Sequence, residues 1–223
     1  MRKMNISLFL GAVLGLLLST PARAELIYSV GISAPTTVSP GLNFNATVYL
    51  QEVVTGASTT VLGDPGLGIV QGNFLVNRTA GSSIDITGVT LNPAFDNPGS
   101  TSFAANFASG TQFSIGLLSG TETFAGSGVF RLNLGTISMT ATAFGDTTFT
   151  SADFDAGLDD LVLGDGTILD STIAGGGGFG DITITSAPEP TTMGALGAFG
   201  AIGAAVSYFR RRKEKQRCPK IAA

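Results

Sequence analysis

The sequence from residue 25 to residue 186 predicts an all-β fold, a single β-sandwich. Short segments rich in β-branched and aromatic side chains alternate between apolar and polar residues, as strands with one buried face do. Clusters of Gly, Pro, Asn, Asp and Ser separate these segments, as turns do. No segment between the two chain termini carries a sustained apolar period of 3.6 residues, so helices are expected only in the terminal segments.

The clearest predicted strand covers residues 42–50, where every second residue is apolar. This period of two places all the apolar side chains on one face, which is typical of a strand at the edge of a core. The same reasoning predicts further strands at 26–32, 69–76, 84–91, 112–118, 129–140, 168–173 and 181–185.

The segments between the predicted strands have the composition of turns. Residues 39–41, 63–66, 97–99 and 165–166 combine Gly with Pro or Asp and are predicted turns. The glycine run 175–178 is predicted to be a flexible link before the last strand, which puts the domain boundary near Ser186. Many short strands at this spacing favour two packed sheets.

Two local patterns are similar to those of cohesin-like sandwich modules. Residues 38–41, Val-Ser-Pro-Gly, precede an alternating strand, and residues 128–130, Gly-Val-Phe, lead into a later strand followed by an Asp/Gly-rich segment. The resemblance implies a cohesin-like sandwich, and a jelly roll is the alternative with the same strand content.

The charge of the predicted domain is strongly negative. Between residues 25 and 187, two arginines stand against fourteen carboxylates, which leaves a formal charge of −12. Such a domain is repelled by nucleic acid, so nucleic-acid binding is excluded, and it attracts cations. Cys218 is the only cysteine, so this domain contains no disulfide.

The N-terminus has the three parts of a secretion signal. Arg2 and Lys3 form a positive region, and residues 6–18 form an uncharged apolar run. Ala22 and Ala24 place small residues at the two positions that signal peptidase reads, so residues 1–24 are a predicted signal peptide cleaved after Ala24. A retained N-terminal anchor is the alternative.

The C-terminus is predicted to hold one membrane span. Residues 191–209 carry no charge and would form a helix about 28 Å long, enough to cross the hydrocarbon core. The basic residues Arg210, Arg211 and Arg212 follow at once and are expected to stay cytoplasmic, with residues 214–223 as a cytoplasmic tail. The mature N-terminus then lies outside the membrane.

Together, Pro188-Glu189-Pro190, the apolar span and the arginine cluster resemble the PEP-CTERM sorting signal of exopolysaccharide-producing Gram-negative bacteria. The resemblance covers residues 187–213, and the tail beyond the arginines is longer than the family pattern. It implies that Pro188, Glu189 and Pro190 are recognised by a membrane transpeptidase, exosortase, which removes the tail. The protein would then pass from the inner membrane to the cell surface or extracellular matrix. A permanently membrane-anchored surface protein of the same fold is the alternative.

The composition excludes several kinds of catalytic site. The chain has no histidine and no tryptophan, and residues 25–187 contain no lysine and no cysteine. Catalytic triads, Schiff-base lysines and histidine-ligated zinc are therefore absent. Tyr28, Tyr49 and the phenylalanines are the residues left for stacking on sugars. A carbohydrate-active enzyme that uses paired carboxylates stays open as an alternative.

One segment concentrates acidic residues, with six aspartates between positions 153 and 170. Calcium prefers several oxygen ligands from flexible loops, so a calcium site at Asp153, Asp155 and Asp159 is a hypothesis. The segment lacks the spacing of the helix-loop-helix calcium motif, and solvated turn residues are the simpler interpretation. The favoured function is a non-enzymatic, exported surface or matrix protein that needs no cofactor and has extracellular polysaccharide as its candidate partner.

Overall fold

The computed structural model describes residues 25–56, 59–64, 66–120, 122–123, 128–155, 159–175, 178–188 and 207–208. The predicted signal peptide with Ala22 and Ala24 lies outside these residues. So do Glu189, Pro190, Arg210, Arg211, Arg212, the tail 214–223 and all of the predicted span except residues 207–208. Within the described residues, no helix is both long enough and apolar enough to cross a membrane.

The described part of the domain is built almost entirely from strands. The strands are β1 Glu25–Ser33, β2 Thr37–Val38, β3 Asn43–Thr55, β4 Ile69–Gly72, β5 Phe74–Ala80, β6 Ile84–Leu91, β7 Asn97–Ala104, β8 Phe107–Leu118, β9 Glu122–Thr123, β10 Val129–Ala141, β11 Gly145–Ala152, β12 Leu161–Leu163 and β13 Asp181–Ser186. One short helix, α1, covers Asp170–Gly175.

The strands form two sheets. The five-stranded sheet has the order β1-β3-β10-β6, and β9 pairs with the start of β10. All its pairings are antiparallel, and β10 has a bulge between Asn133 and Gly135. The eight-stranded sheet has the order β12-β4-β8-β5-β11-β13-β2, with β7 added to β8. Its one parallel pairing joins β13 to β2.

The core lies between the two sheets, which makes the domain a β-sandwich. On β3, Ala46, Val48 and Leu50 are fully buried. Val76 on β5 and Phe149 on β11 are fully buried on the inner face of the other sheet. Hydrophobic side chains from both sheets form one cluster, as expected for a sandwich whose inner faces interdigitate. The predicted all-β sandwich is confirmed.

Several predicted elements differ from the observed ones. Segment 69–76 is two strands, because Asn73 interrupts the ladder between β4 and β5. Segment 168–173 is not a strand, since α1 begins at Asp170. The turn predicted at 97–99 is instead the start of β7, whose residues are all exposed. Strand β11 was not predicted at all.

The two ends of the sandwich have different loops. We call one the exit end, because the last strand leaves the domain there; it consists of residues 34–42, 81–83, 105–106, 142–144 and 187–188. The opposite end, which we call the acidic end, consists of the described parts of segments 56–68, 92–96, 119–128 and 153–170.

Candidate functional site

A polar groove crosses the outer face of the five-stranded sheet. Strand alternation buries Ala46 and Val48 and so turns their neighbours Asn45 and Thr47 outward. The register then places Asn43 opposite Thr140 and Asn45 opposite Ser138. Thr87 on β6 completes the rim, Phe44 and Met139 also line the groove, and the groove is open to solvent with a volume of about 480 Å³.

Hydrogen bonds across β3 and β10 orient these side chains. Thr140 Oγ1 donates to Asn43 Oδ1 over 2.6 Å, and Ser138 Oγ donates to Asn45 Oδ1 over 3.3 Å. Each amide oxygen is therefore engaged, while each amide nitrogen keeps its two N–H donors. The residues that line the groove offer hydroxyl and amide groups beside the apolar Phe44 and Met139, and none of them carries a formal charge.

An aromatic residue lies further along the same face. The Arg131 guanidinium lies 4.1 Å from the centre of the Tyr49 ring, and Arg131 Nε donates to Gln51 Oε1 over 2.8 Å. A Cβ at Gly31 would lie 2.5 Å from the Tyr49 ring, so only glycine lets the ring lie across β1. The structure thus keeps Tyr49 on the outer face, with the Arg131 guanidinium over its ring.

Tyr28, in contrast, cannot stack on a ligand. Its side chain is 4 % exposed and points into the core, where its hydroxyl donates to Glu52 Oε2 over 2.9 Å. Burial first, and then the charge of Glu52, raise the pKa of Tyr28 above its ordinary value. Of the two tyrosines predicted to be available for sugar stacking, only Tyr49 lies on an outer face, where it is half-buried.

Glu52 is a fully buried carboxylate that sequence analysis did not single out. Besides the Tyr28 hydroxyl, it accepts a short hydrogen bond from the Thr60 hydroxyl and bonds from the Val61 and Leu62 N–H groups at 3.0–3.1 Å. These donors come from one loop, so Glu52 fixes segment 59–63 against the sheet. The alternation of β3 contained the signal, because position 52 continues the buried series 46, 48 and 50.

The second buried carboxylate is Asp160, in the acidic segment. It is 3 % exposed and accepts the N–H groups of Phe154 and Asp155 at 2.8 and 2.9 Å. Asn73 Nδ2 donates to its other oxygen over 3.3 Å. Burial first, and then a hydrogen bond with Asp153, raise the pKa of Asp160 to about 6.

The three predicted calcium ligands differ in their exposure to solvent. Asp155 and Asp159 are exposed, whereas Asp153 is partly buried beside Asp160 and Asp170. Asp153 Oδ1 is buried without a hydrogen-bond partner. In the described segments, no three His, Cys, Asp or Glu side chains are grouped to hold a metal ion. The calcium site stays a prediction.

The cavity beside Asp153, Asp160 and Asp170 is too small for a sugar. Its volume is about 10 Å³, close to the space that one water molecule occupies. Hydrolysis of a glycosidic bond requires two carboxylates flanking a bound sugar ring. This trio of aspartates does not offer that geometry.

A more apolar cavity lies at the acidic end. Val61, Leu67, Leu117 and Leu163 line it, and Asp165 lies at its edge. Its volume is about 290 Å³, and Leu67 and Leu117 are about two-fifths exposed. The loop that Glu52 fixes forms one wall, so the buried carboxylate also shapes this cavity.

Comparisons with known proteins give a distant structural likeness and no family. No protein-family description matches the chain, and no curated protein matches it. Among solved structures, the chain is similar to a non-cellulosomal cohesin from the hyperthermophilic archaeon Archaeoglobus fulgidus. The two share 9 % sequence identity over 76 % of this chain and 97 % of that one, with a TM-score of 0.41. At this level the likeness says nothing about ligands or activity.

Proposed function

We propose that this chain is a non-enzymatic, exported surface or matrix protein whose sandwich binds a neutral polysaccharide through the polar groove. The observation that carries the proposal is the chemistry of the groove formed by Asn43, Asn45, Thr87, Ser138 and Thr140. Amide donors and hydroxyl groups at fixed spacing are complementary to the hydroxyl groups of a sugar.

Charge favours a neutral glycan over an anionic one. The domain carries a formal charge of −12, so an acidic polymer would be repelled as it approaches. The groove itself has no carboxylate among its lining residues. A neutral chain therefore meets hydrogen-bonding groups without an electrostatic penalty, and Tyr49 on the same face extends the surface available to it.

Binding is tested with the host's own exopolysaccharide and with neutral and acidic glycans, measured by calorimetry. Thr140→Val removes the hydroxyl bonded to Asn43 and keeps the shape of the side chain, so we expect affinity to fall about tenfold. Thr148→Val is the matched control, because Thr148 is hydrogen-bonded to Thr183 across strands on the other sheet's outer face. Equal losses of affinity in both variants, or no saturable binding by the wild type, would show that the groove is not the glycan-binding site.

The same titration tests the calcium hypothesis. If Asp153, Asp155 and Asp159 hold calcium, millimolar calcium gives a binding isotherm that Asp159→Asn abolishes. Loss of glycan binding in chelator would further link the acidic segment to the groove. Absence of calcium uptake at millimolar concentration ends this hypothesis and leaves glycan binding untouched.

Export and sorting are the second part of the proposal. Signal peptidase would remove residues 1–24, and an exosortase-like transpeptidase would recognise Pro188, Glu189 and Pro190. The chain would then leave the inner membrane of a Gram-negative bacterium for its surface or matrix. Pro188 is exposed just after the last strand, which suits recognition by an enzyme.

Replacing Pro188, Glu189 and Pro190 with alanine is expected to leave the protein in the membrane with its full tail. The mass of the protein recovered from the envelope and from the medium measures this outcome. If wild-type protein keeps its full-length mass, the permanently anchored alternative holds. If the substituted protein is released as efficiently as wild type, exosortase processing is wrong.

A further inference from the structure

The exit end carries two exposed apolar side chains on well-fixed loops. Leu42 is 49 % exposed and Phe144 is 65 % exposed. Backbone hydrogen bonds join the two loops: Gly41 N–H donates to the Ala141 carbonyl over 2.7 Å, and Ala141 N–H donates to the Leu42 carbonyl over 3.0 Å. The Ser83 carbonyl accepts the N–H of Thr142 over 2.8 Å. These apolar residues are therefore held at the surface by rigid backbone.

The chain leaves the domain between these loops. Ser186, the last residue of β13, pairs with Gly145 on one side and Val38 on the other. Ala187 N–H then donates to the Val38 carbonyl over 2.9 Å. From Pro188 to the start of the apolar segment 191–209 there are three residues, which span about 10 Å when extended. A membrane span at 191–209 would hold the exit end within that distance of the bilayer.

The distribution of charge on the domain also favours the exit end as the end that approaches the membrane. The described loops of the exit end contain no carboxylate; nearest to them, at the starts of β6 and β11, are Asp85, which is paired with Arg78 at 2.9 Å, and Asp146. The acidic end holds Asp64, Asp96 and the aspartates from 153 to 170. Anionic lipid head groups repel the acidic end and leave the exit end free to approach.

From these observations we propose that the exit end rests on the outer surface of the membrane, with Leu42 and Phe144 in the lipid interface, as long as the tail is attached. The inference depends on the proposed membrane span. Tethering keeps the two side chains at high effective concentration near the bilayer, so weak insertion is enough for contact. The segment Pro188–Pro190 is then held at the membrane surface, where a membrane-embedded processing enzyme has access to it.

The absence of tryptophan from the chain gives a clean test. Phe144→Trp introduces one fluorophore at the exit end, in a position that is already exposed. Ile115→Trp is the matched control, because Ile115 is 93 % exposed and lies on β8 toward the acidic end. Ile115 is eight residues along β8 from its exit-end start, about 25 Å away.

The full chain is reconstituted into vesicles of phosphatidylethanolamine and phosphatidylglycerol, with and without brominated acyl chains. Flotation first reports whether the chain is anchored. We expect the Phe144→Trp variant to float with the vesicles. Its tryptophan should emit at a shorter wavelength than it does in buffer without lipid. Brominated lipid should quench this tryptophan at least threefold more than the tryptophan of Ile115→Trp.

Each other outcome overturns the inference in a distinguishable way. Flotation with equal quenching of both variants means that the anchor is present but the exit end stands clear of the lipid. A blue shift without bromine quenching means that Phe144 is covered by protein, such as a second copy. Failure of both variants to float removes the membrane span itself, and the inference with it.

Discussion

Glu52 and Asp160 are both buried carboxylates that hold loops at the acidic end, yet their surroundings differ. Glu52 receives donors from a tyrosine, a threonine and two backbone N–H groups. Asp160 receives two backbone N–H groups and an asparagine amide, and Asp153 and Asp170 lie beside it. Neither carboxylate has a cation among its described hydrogen-bond partners.

The difference shows that the number of donors is not the only factor that decides the cost of burying a charge. Donors aimed at a carboxylate compensate for its lost hydration, whereas neighbouring carboxylates add repulsion. The hydrogen-bond partners described for Glu52 are all donors. Around Asp160, burial and its acidic neighbours outweigh the donors, which raises its pKa to about 6. Asp160 should therefore stabilise the fold mainly as the acid.

The largest expected effect comes from removing Glu52. Glu52→Ala leaves the Val61 and Leu62 N–H groups and two hydroxyls without their acceptor, so we expect a loss of about 3–5 kcal/mol in the free energy of unfolding. Urea denaturation followed by circular dichroism measures it. Glu25→Ala, at an exposed position, is the control and should change stability by less than about 0.5 kcal/mol. Similar values for both variants would mean that Glu52 does not anchor the loop.

The second effect is the pH dependence of stability at Asp160. Because its pKa is about 6 in the folded protein, against 3.8 for an aspartate in water, the native protein binds this proton more tightly than the unfolded chain does. The stability that the folded protein gains from this protonated carboxyl is complete below about pH 4, and it is lost as the pH rises through 6. It amounts to about 2–3 kcal/mol. The raised pKa of Asp170 acts in the same direction.

Asp160→Asn isolates this contribution, since asparagine cannot ionise. Between pH 4 and pH 7, the stability of the variant relative to wild type should improve by about 2 kcal/mol. Asp159→Asn is the matched control at an exposed neighbouring position and should follow the wild-type pH profile. Parallel profiles for wild type and Asp160→Asn would show that Asp160 is ionised throughout this range.

The smallest expected effect comes from removing the Tyr28 hydroxyl, one of the donors to Glu52. Tyr28→Phe removes one of its donors but keeps the packing of the ring, so we expect a loss of about 1–2 kcal/mol at pH 7. A double-mutant cycle with Glu52→Gln measures the coupling between the two side chains. Additive losses would indicate that the 2.9 Å contact contributes nothing to stability.

Strand β3 shows how much of the fold the sequence specifies. Its alternation predicted a strand with one buried face, and Ala46, Val48 and Leu50 are fully buried. Strand β11 shows the limit. Its inward positions include Thr147 and Ser151, whose hydroxyls bond to Ser83 and to the Val30 carbonyl, so polar residues interrupt the apolar pattern. Such partners are distant in sequence and cannot be read from local composition.

Two further errors have local causes. Segment 168–173 contains isoleucine and threonine, which favour a strand, but Leu169, just before α1, and Ile173, within it, are four residues apart and are both buried. Strand β7 is an edge strand with every residue exposed, so no buried face gave it a period of two.

The candidate sites were predictable to different extents. The acidic segment was visible from composition, but the role of Asp160 depends on Asn73, which is 87 positions away in the chain. The polar groove depends on the register of β3 with β10, which pairs residues more than 90 positions apart. Sequence alternation identifies which side chains face outward, and only the pairing shows which of them meet.

The place of β13 in its sheet has a mechanical consequence. This strand pairs with β11 along its length and with β2 at its end, and the chain beyond it continues toward the predicted anchor. A pulling force on residue 187 therefore acts along the strand axis and loads the hydrogen bonds on both sides in shear. Bonds loaded in this way must rupture together rather than one after another, so the domain is built to withstand tension from its C-terminus.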